Sequence, residues 1–202
     1  MNEFKDAFEH LKKDKVMLSL IEKVGEEIRI DDRKEKDLAF AISLLIIEQQ
    51  VSFKAAITIK KRFREVVNNK SYKSIITMDD DEMKSIGISY RKVEYIKNVY
   101  SYFLKSNFNF FEENEKRVEE ELIKIKGIGK WTVEMFLIFI LNKEDVFSKG
   151  DLALINSIKK NYKIKNLNEN KLKKIIKKWS PYKTIASLLL WKSIEEMKFA
   201  NT

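Results

Sequence analysis

Leu122-Ile123-Lys124-Ile125-Lys126-Gly127-Ile128-Gly129-Lys130-Trp131-Thr132 is the stretch on which the fold turns. Two glycines one residue apart separate two segments of helical periodicity. Before them Val118, Leu122 and Ile125 recur on one face; after them Trp131 to Leu141 is apolar almost throughout. Glycine permits positive φ and, lacking Cβ, lets a ligand approach the backbone closely. The hairpin feeds straight into a helix start, where N–H groups point outward and favour an anion. With Lys124, Lys126 and Lys130 alongside, a nucleic-acid phosphate is the natural guest, gripped without reading sequence. Taken by itself, Gly-x-Gly reads as a tight helix–helix turn with incidental lysines.

The flanking chain reads as helical too. Only five glycines and one proline occur in 202 residues. Leu38 to Ile47 is apolar on every face and predicts a central buried helix. Ser52 can cap a following helix with an apolar stripe of Phe53, Ala56, Ile57, Phe63 and Val67. Thr77 or Asp79 starts a short helix ended by Gly87, and Ser89 starts another with Val93, Ile96, Tyr100 and Phe103 inward. Asp151 opens a helix carrying Leu152, Ile155, Ile158 and Tyr162. Asn168 opens one with Leu172, Ile175, Ile176 and Trp179. Ser180-Pro181 predicts an N-cap and first helical residue for the last helix. Residues 108–117 and 142–150 read as loops. The expected fold is all-α, with roughly ten helices.

Composition narrows the chemistry. Lys plus Arg number 40 against 31 Asp plus Glu, a surplus of nine that suits a polyanionic partner. There is no cysteine, which excludes disulfides, Cys-ligated zinc and a Cys-ligated iron–sulfur cluster. The single histidine, His10, leaves no His-based metal site or triad. Chemistry therefore rests on carboxylates, lysines, hydroxyls or backbone. The first residues lack an apolar signal core, and Leu38–Ile47 is too short to span a bilayer. A soluble, cytoplasmic protein associated with DNA and not with membrane is expected.

Five segments together resemble the helix-hairpin-helix superfamily of DNA glycosylases, in its alkylpurine, 3-methyladenine glycosylase II-like branch. The hairpin is the first. Val146-Phe147-Ser148-Lys149-Gly150-Asp151-Leu152 stands where that family places an aspartate at the next helix start. Ile46-Ile47-Glu48-Gln49-Gln50-Val51-Ser52 with Lys54-Ala55-Ala56 resembles its glutamine-rich helix end. Met83 to Lys92 resembles its second DNA-facing turn, and Trp179 to Trp191 its closing helix. The resemblance spans roughly residues 10–192, in the family's order. It implies a two-lobed unit over 1–202 with an active-site cleft between the lobes. One lobe would be approximately 38–130 with the wedge turn and hairpin, the other 1–37 plus 131–202. It also implies a compact form without the N-terminal β-rich lobe of some bacterial members, and a monomer.

The resemblance assigns roles to residues. Cleaving an N-glycosidic bond builds positive charge on the sugar, and Asp151 is the implied carboxylate that stabilises it and orients water. On the sequence alone Asp151 is an ordinary N-cap; the two roles can coexist. Lyase-type relatives carry a lysine where Trp131 stands, so a monofunctional, water-using enzyme without strand cleavage is implied. An alkylated purine is cationic and recognisable by stacking; Trp131 and Trp191 are the pocket candidates, with core packing an equal alternative for Trp191. Met135 and Leu152 occupy pocket positions where some relatives carry aromatics. Gln50 is the implied wedge that fills the gap left by a flipped base, with Gln49 and Ser52 beside it. Gly87, Ser89, Arg91, Lys92, Lys126, Gly127, Gly129, Lys130, Thr132 and Lys149 complete the implied DNA contacts. No cofactor is required, though relatives hold a monovalent cation on hairpin carbonyls, here Ile123, Ile125 and Ile128.

Double-stranded DNA with a damaged purine is thus the expected partner. A glycosylase for another purine lesion such as hypoxanthine, a non-catalytic hairpin DNA-binding module, and a plain basic helical interaction protein are the competing readings.

Overall fold

A computed structural model describes residues 4–30 and 35–199. Among these, twelve helices and no strands occur. The chain divides into two compact units, Arg33–Phe136 and Met1–Asp32 with Leu137–Thr202.

The unit Arg33–Phe136 is built on α3 (Leu38–Glu48) and α7 (Tyr90–Phe103), which pack on each other. α3 is buried at Ala39 and from Ala41 through Ile47, as its all-round apolar sequence requires. Asp37 caps it through Phe40 N–H at 3.1 Å and also accepts the Tyr72 hydroxyl at 2.7 Å. α4 (Phe53–Val67) is capped by Ser52 and lies on α3; α5 (Tyr72–Ile76) and α6 (Asp80–Lys84) lie on α7. α8 (Glu115–Leu122) leads to the hairpin, and α9 (Lys130–Phe139) follows. Phe63 stacks on Phe40, and Phe110 meets Phe136 edge-on.

The other unit contains α1 (Lys5–Leu11), α2 (Lys15–Val24), α10 (Leu152–Asn161), α11 (Glu169–Lys177) and α12 (Lys183–Phe199). α2 and α10 both pack on α12, whose residues Thr184 to Leu190 are all buried. Trp179 is fully buried against Phe147 and Tyr162. A polar knot fastens α10 to α12: Ser157 Oγ donates to Leu190 O at 2.9 Å and lies 3.0 Å from Ser193 Oγ.

Several sequence readings need correction. Ile57 is 51% exposed; the inward stripe of α4 is Ala56, Ile59, Phe63 and Val67, a spacing of three and four. The Phe53 side chain lies outside the described residues. Leu152 is 76% exposed, because the buried face of α10 runs through Leu154, Ser157 and Ile158. Ile125 is buried but lies beyond the end of α8. The last helix begins at Lys183, not at Pro181; the Ser180–Pro181 peptide is cis, and Ser180 donates to Asp145 at 2.7 Å in place of capping. α1, α2 and α5 had no element assigned to them.

Trp179→Ala removes the largest fully buried side chain of its unit. A loss of about 3–5 kcal/mol in unfolding free energy is expected, measured by urea denaturation; an unchanged midpoint would contradict this core.

Candidate active site and nucleic-acid interface

The hairpin closes by two short backbone bonds, Ile125 N–H to Leu122 O and Ile128 N–H to Ile125 O, each 3.0 Å. The Gly129 carbonyl accepts from Val133 N–H at 3.1 Å, so Gly129 is the N-cap of α9. The two glycines then part company. A Cβ on Gly129 would meet nothing within 4 Å, and Gly129 and Lys130 are exposed. This is open backbone at a helix start, where an anion is favoured. Gly127 has φ +104°, and a Cβ there would lie 2.2 Å from Tyr95 Cγ. Its hydrogen side chain is required by an aromatic ring of α7.

α7 braces the hairpin at further points. Asn98 Nδ2 donates to Lys126 O at 3.4 Å, and Glu94 pairs with Lys126. That pairing holds the exposed Lys126 ammonium above its usual pKa, so a phosphate must compete with a carboxylate there. Arg91 Nε donates to the Tyr95 hydroxyl at 2.6 Å. Ser89 caps α7 by accepting from Lys92 N–H, and Gly87 precedes it at φ +109°.

The glutamine-rich turn separates into brace and tip. Gln49 Nε2 donates to Thr132 Oγ1 at 2.9 Å and approaches Gly127 O at 3.4 Å. Thr132 is buried. Together they join the end of α3 to the start of α9. Lys92 also faces inward. Its ammonium donates to Ile47 O at 2.9 Å and Gln49 O at 2.7 Å, serving the carbonyls that α3 leaves unbonded at its C-terminus. Burial lowers its pKa. Gln50, the next residue, is exposed with φ +55°. That conformation is uncommon for a side chain without special tolerance of it and is concentrated at functional turns.

In the other unit Asp151 is the N-cap of α10. Its Oδ1 accepts the Leu154 N–H at 2.9 Å and the Trp191 indole N–H at 3.3 Å. The carboxylate is half-buried. Trp191 is half-buried and stacks on Phe139 at 5.7 Å with 29° between planes. The indole thereby gains a fixed orientation from which it holds the carboxylate. The preceding loop is pinned by α12: Thr184 Oγ1 donates to Lys143 O at 2.6 Å and accepts from Val146 N–H at 3.3 Å. Asp145 meets Ser180 and Lys183 at 2.7 and 2.9 Å. Ser148 O accepts Asp151 N–H at 3.3 Å. Lys149 and Gly150, immediately before the carboxylate, are exposed.

Of the remaining candidates, Trp131 is half-buried and Met135 buried on α9, and Leu152 lies in solvent beside Asp151. Phe139, Tyr95 and Thr184 were missed. Phe139 falls four residues after Met135 and eight after Trp131, a helical-face signal visible in the sequence; Tyr95 and Thr184 act through tertiary contacts that no local pattern announces. Ile125 O, one of three carbonyls assigned to a monovalent cation, already accepts a hairpin N–H. Its second lone pair still allows it to serve as a ligand. No cluster of three or more His, Cys, Asp or Glu able to hold a metal occurs among the described residues, and none of their helices is long and apolar enough to cross a membrane.

An all-helical fold with a glycine hairpin and a helix-capping aspartate defines a class, and comparison with known proteins fixes it. The model of the HhH-GPD superfamily of base excision DNA repair proteins matches residues 44–181, and the chain belongs to that family. DNA-3-methyladenine glycosylase 1 of Schizosaccharomyces pombe is 34% identical over 156 residues, covering 73% of this chain and 68% of the relative. The alkylbase DNA glycosidase-like protein mag2 of the same organism is 30% identical over 200 residues, covering 94% and 93%. The solved structure of S. pombe 3-methyladenine DNA glycosylase Mag1 in complex with abasic DNA superposes with a TM-score of 0.87 at 28% identity, covering 94% of this chain and 97% of that one.

Gly127→Ala is expected to lower stability as well as DNA affinity. The backbone conformation alone costs about 1–3 kcal/mol, and the methyl group collides with Tyr95. Adding Tyr95→Ala should recover part of the loss by removing the collision. Thermal unfolding of the two variants checks this; a Gly127→Ala protein as stable as wild type would contradict the packing role.

Proposed function

We propose that this protein is a monofunctional DNA glycosylase that flips alkylated purines of the 3-methyladenine type out of duplex DNA and hydrolyses their N-glycosidic bonds. The observation that carries the proposal is the hold on Asp151: a half-buried carboxylate fixed by one backbone and one indole N–H at a helix start. Family membership and relatives named as 3-methyladenine glycosylases supply the substrate class.

The chemistry follows from charge. An N-alkylated purine is cationic and leaves as a neutral base, taking the C1′–N bonding pair with it. Positive charge then develops on the sugar. A fixed anion at Asp151 stabilises that charge in a site where solvent screens it less than in bulk. Water adds at C1′ and releases a proton, which the Asp151 carboxylate can accept. The products are the free base and an abasic nucleotide in an unbroken strand. Trp131 occupies the position that a Schiff-base lysine would need, which supports hydrolysis without strand cleavage.

Recognition divides between exposed backbone and exposed side chains. Gly129 and the start of α9 receive a phosphate; Gln50 enters the space vacated by the flipped base. Trp131 and Met135 are the pocket candidates on α9. Trp191 acts on the carboxylate and lines the site from there. A monovalent cation on the carbonyls of Ile123, Ile125 and Ile128 would stiffen the hairpin and takes no part in bond cleavage.

Asp151→Asn separates cap from charge, because asparagine caps helices as well as aspartate. The variant should fold and bind damaged duplex near normally while releasing no methylated adenine. Chromatography of purines released from methylated DNA, with strands checked before and after hot alkali, measures both points. Wild-type release of hypoxanthine or oxidised guanine in place of alkylpurines would move the activity to another lesion, and full activity in Asp151→Asn would remove the carboxylate from the mechanism.

A further inference from the structure

The positive charge of the chain is concentrated in one place. Between Lys159 and Lys178 lie nine lysines and one glutamate, a surplus of eight where the whole chain has nine. All nine lysines are exposed. Lys159 and Lys160 end α10, and Lys163 and Lys165 lie in the connection to α11. Along α11 and its C-cap, Lys171, Lys174 and Lys178 recur at spacings of three and four, and so share a face. Leu172, Ile175 and Ile176 bury the other side of the helix. Glu169, the segment's one acid, is already paired with Lys173 at 2.7 Å.

Helix electrostatics explains part of this. Cations in the last turn favour the C-terminal carbonyls, which accounts for Lys159, Lys160, Lys174 and Lys177. Lys178, at the C-cap, fits the same account and Lys173 is paired with Glu169, but Lys163, Lys165 and Lys171 have neither explanation. Like charges at these spacings destabilise a helix, and a polyanion would relieve the repulsion. The patch also reaches toward the catalytic loop. Glu169 is held below the usual carboxylate range, chiefly by its bond to Lys173, and the charge of Lys149 adds to the effect. Lys149 stands two residues before Asp151. Lys149, in the same unit, thus adds its charge to the surroundings of Glu169 at the start of α11. The length of α10 is about 15 Å, which is four to five base pairs at about 3.4 Å each.

We propose that the α10–α11 lysine face is a second, lesion-independent grip on duplex DNA, taking phosphates a few base pairs from the excised nucleotide. It rests on the reading that the chain works on DNA. Ammonium groups on phosphates carry no sequence or lesion information; this grip retains the enzyme on undamaged duplex during search and leaves the chemical step alone.

The test is the triple variant Lys171→Gln, Lys174→Gln, Lys178→Gln, with the corresponding triple arginine variant as a charge-keeping control. Affinity for a lesion-free duplex is measured across a salt series. The glutamine variant should show a salt slope smaller by about three, the arginine variant the wild-type slope. Single-turnover base release at saturating protein should be unchanged in both. An unchanged slope in the glutamine variant overturns the proposal. Wild-type protein gives an independent readout: acetylation of the α11 lysines, mapped by mass spectrometry, should be suppressed by lesion-free duplex. No protection overturns the grip, and protection by polyglutamate but not by duplex would assign the face to an acidic protein. A wild-type chain that releases no base yet shows the protection and slope change would lose the glycosylase reading and keep the grip.

Discussion

One carboxylate oxygen of Asp151 carries two obligations at once: the first turn of α10 and the edge of the Trp191 indole. An N-cap bond of this kind contributes about 1 kcal/mol, so the contact is modest as a source of stability. Its consequence is geometric. The carboxylate is bonded from two directions, the indole is held by its stack on Phe139, and the loop before it is tied to α12 through Thr184. In the proposed mechanism the group that stabilises charge on the sugar must be in place before the charge appears, since reorganisation at that moment would raise the barrier. The elements of its unit converge on that placement.

The unit Arg33–Phe136 solves a different problem with the same means. The open backbone at Gly129 and the left-handed Gln50 are two of its proposed contact points. Each is backed by contacts within the unit. Gln49 and Thr132 bond to each other, Lys92 closes the end of α3, and Tyr95 fills the space that Gly127 leaves. A polar or basic residue beside a contact point thus serves to hold the point still. The same side chains, turned outward, would grip more phosphates on a looser frame.

Much of this was legible in the sequence, for identifiable reasons. Leu38–Ile47 could only be buried, and the caps at Ser52, Ser89, Asp151 and Asn168 each fell where a short polar side chain meets an apolar stripe. The hairpin was visible because two glycines interrupt two helical periods. Failures came where tertiary contact outranks local pattern. Ile57 and Leu152 are apolar yet exposed, since the buried face of each helix follows its packing partner. Ser180 was drawn from capping by Asp145, 35 residues back but adjacent in space. Lys92 reads as a surface cation until α3 is folded against α7. The pairing of Trp191 with Asp151 spans forty positions and has no local signature.

The most direct measurement is the affinity of a duplex containing a cationic pyrrolidine in place of the target sugar, compared with one containing the uncharged tetrahydrofuran. If the Asp151 carboxylate stabilises positive charge at the sugar, wild type should bind the cationic duplex about 100-fold or more tightly than the neutral one, and Asp151→Asn should bind both alike. Equal affinities in wild type, or a preference that survives in Asp151→Asn, would contradict the electrostatic role of this carboxylate.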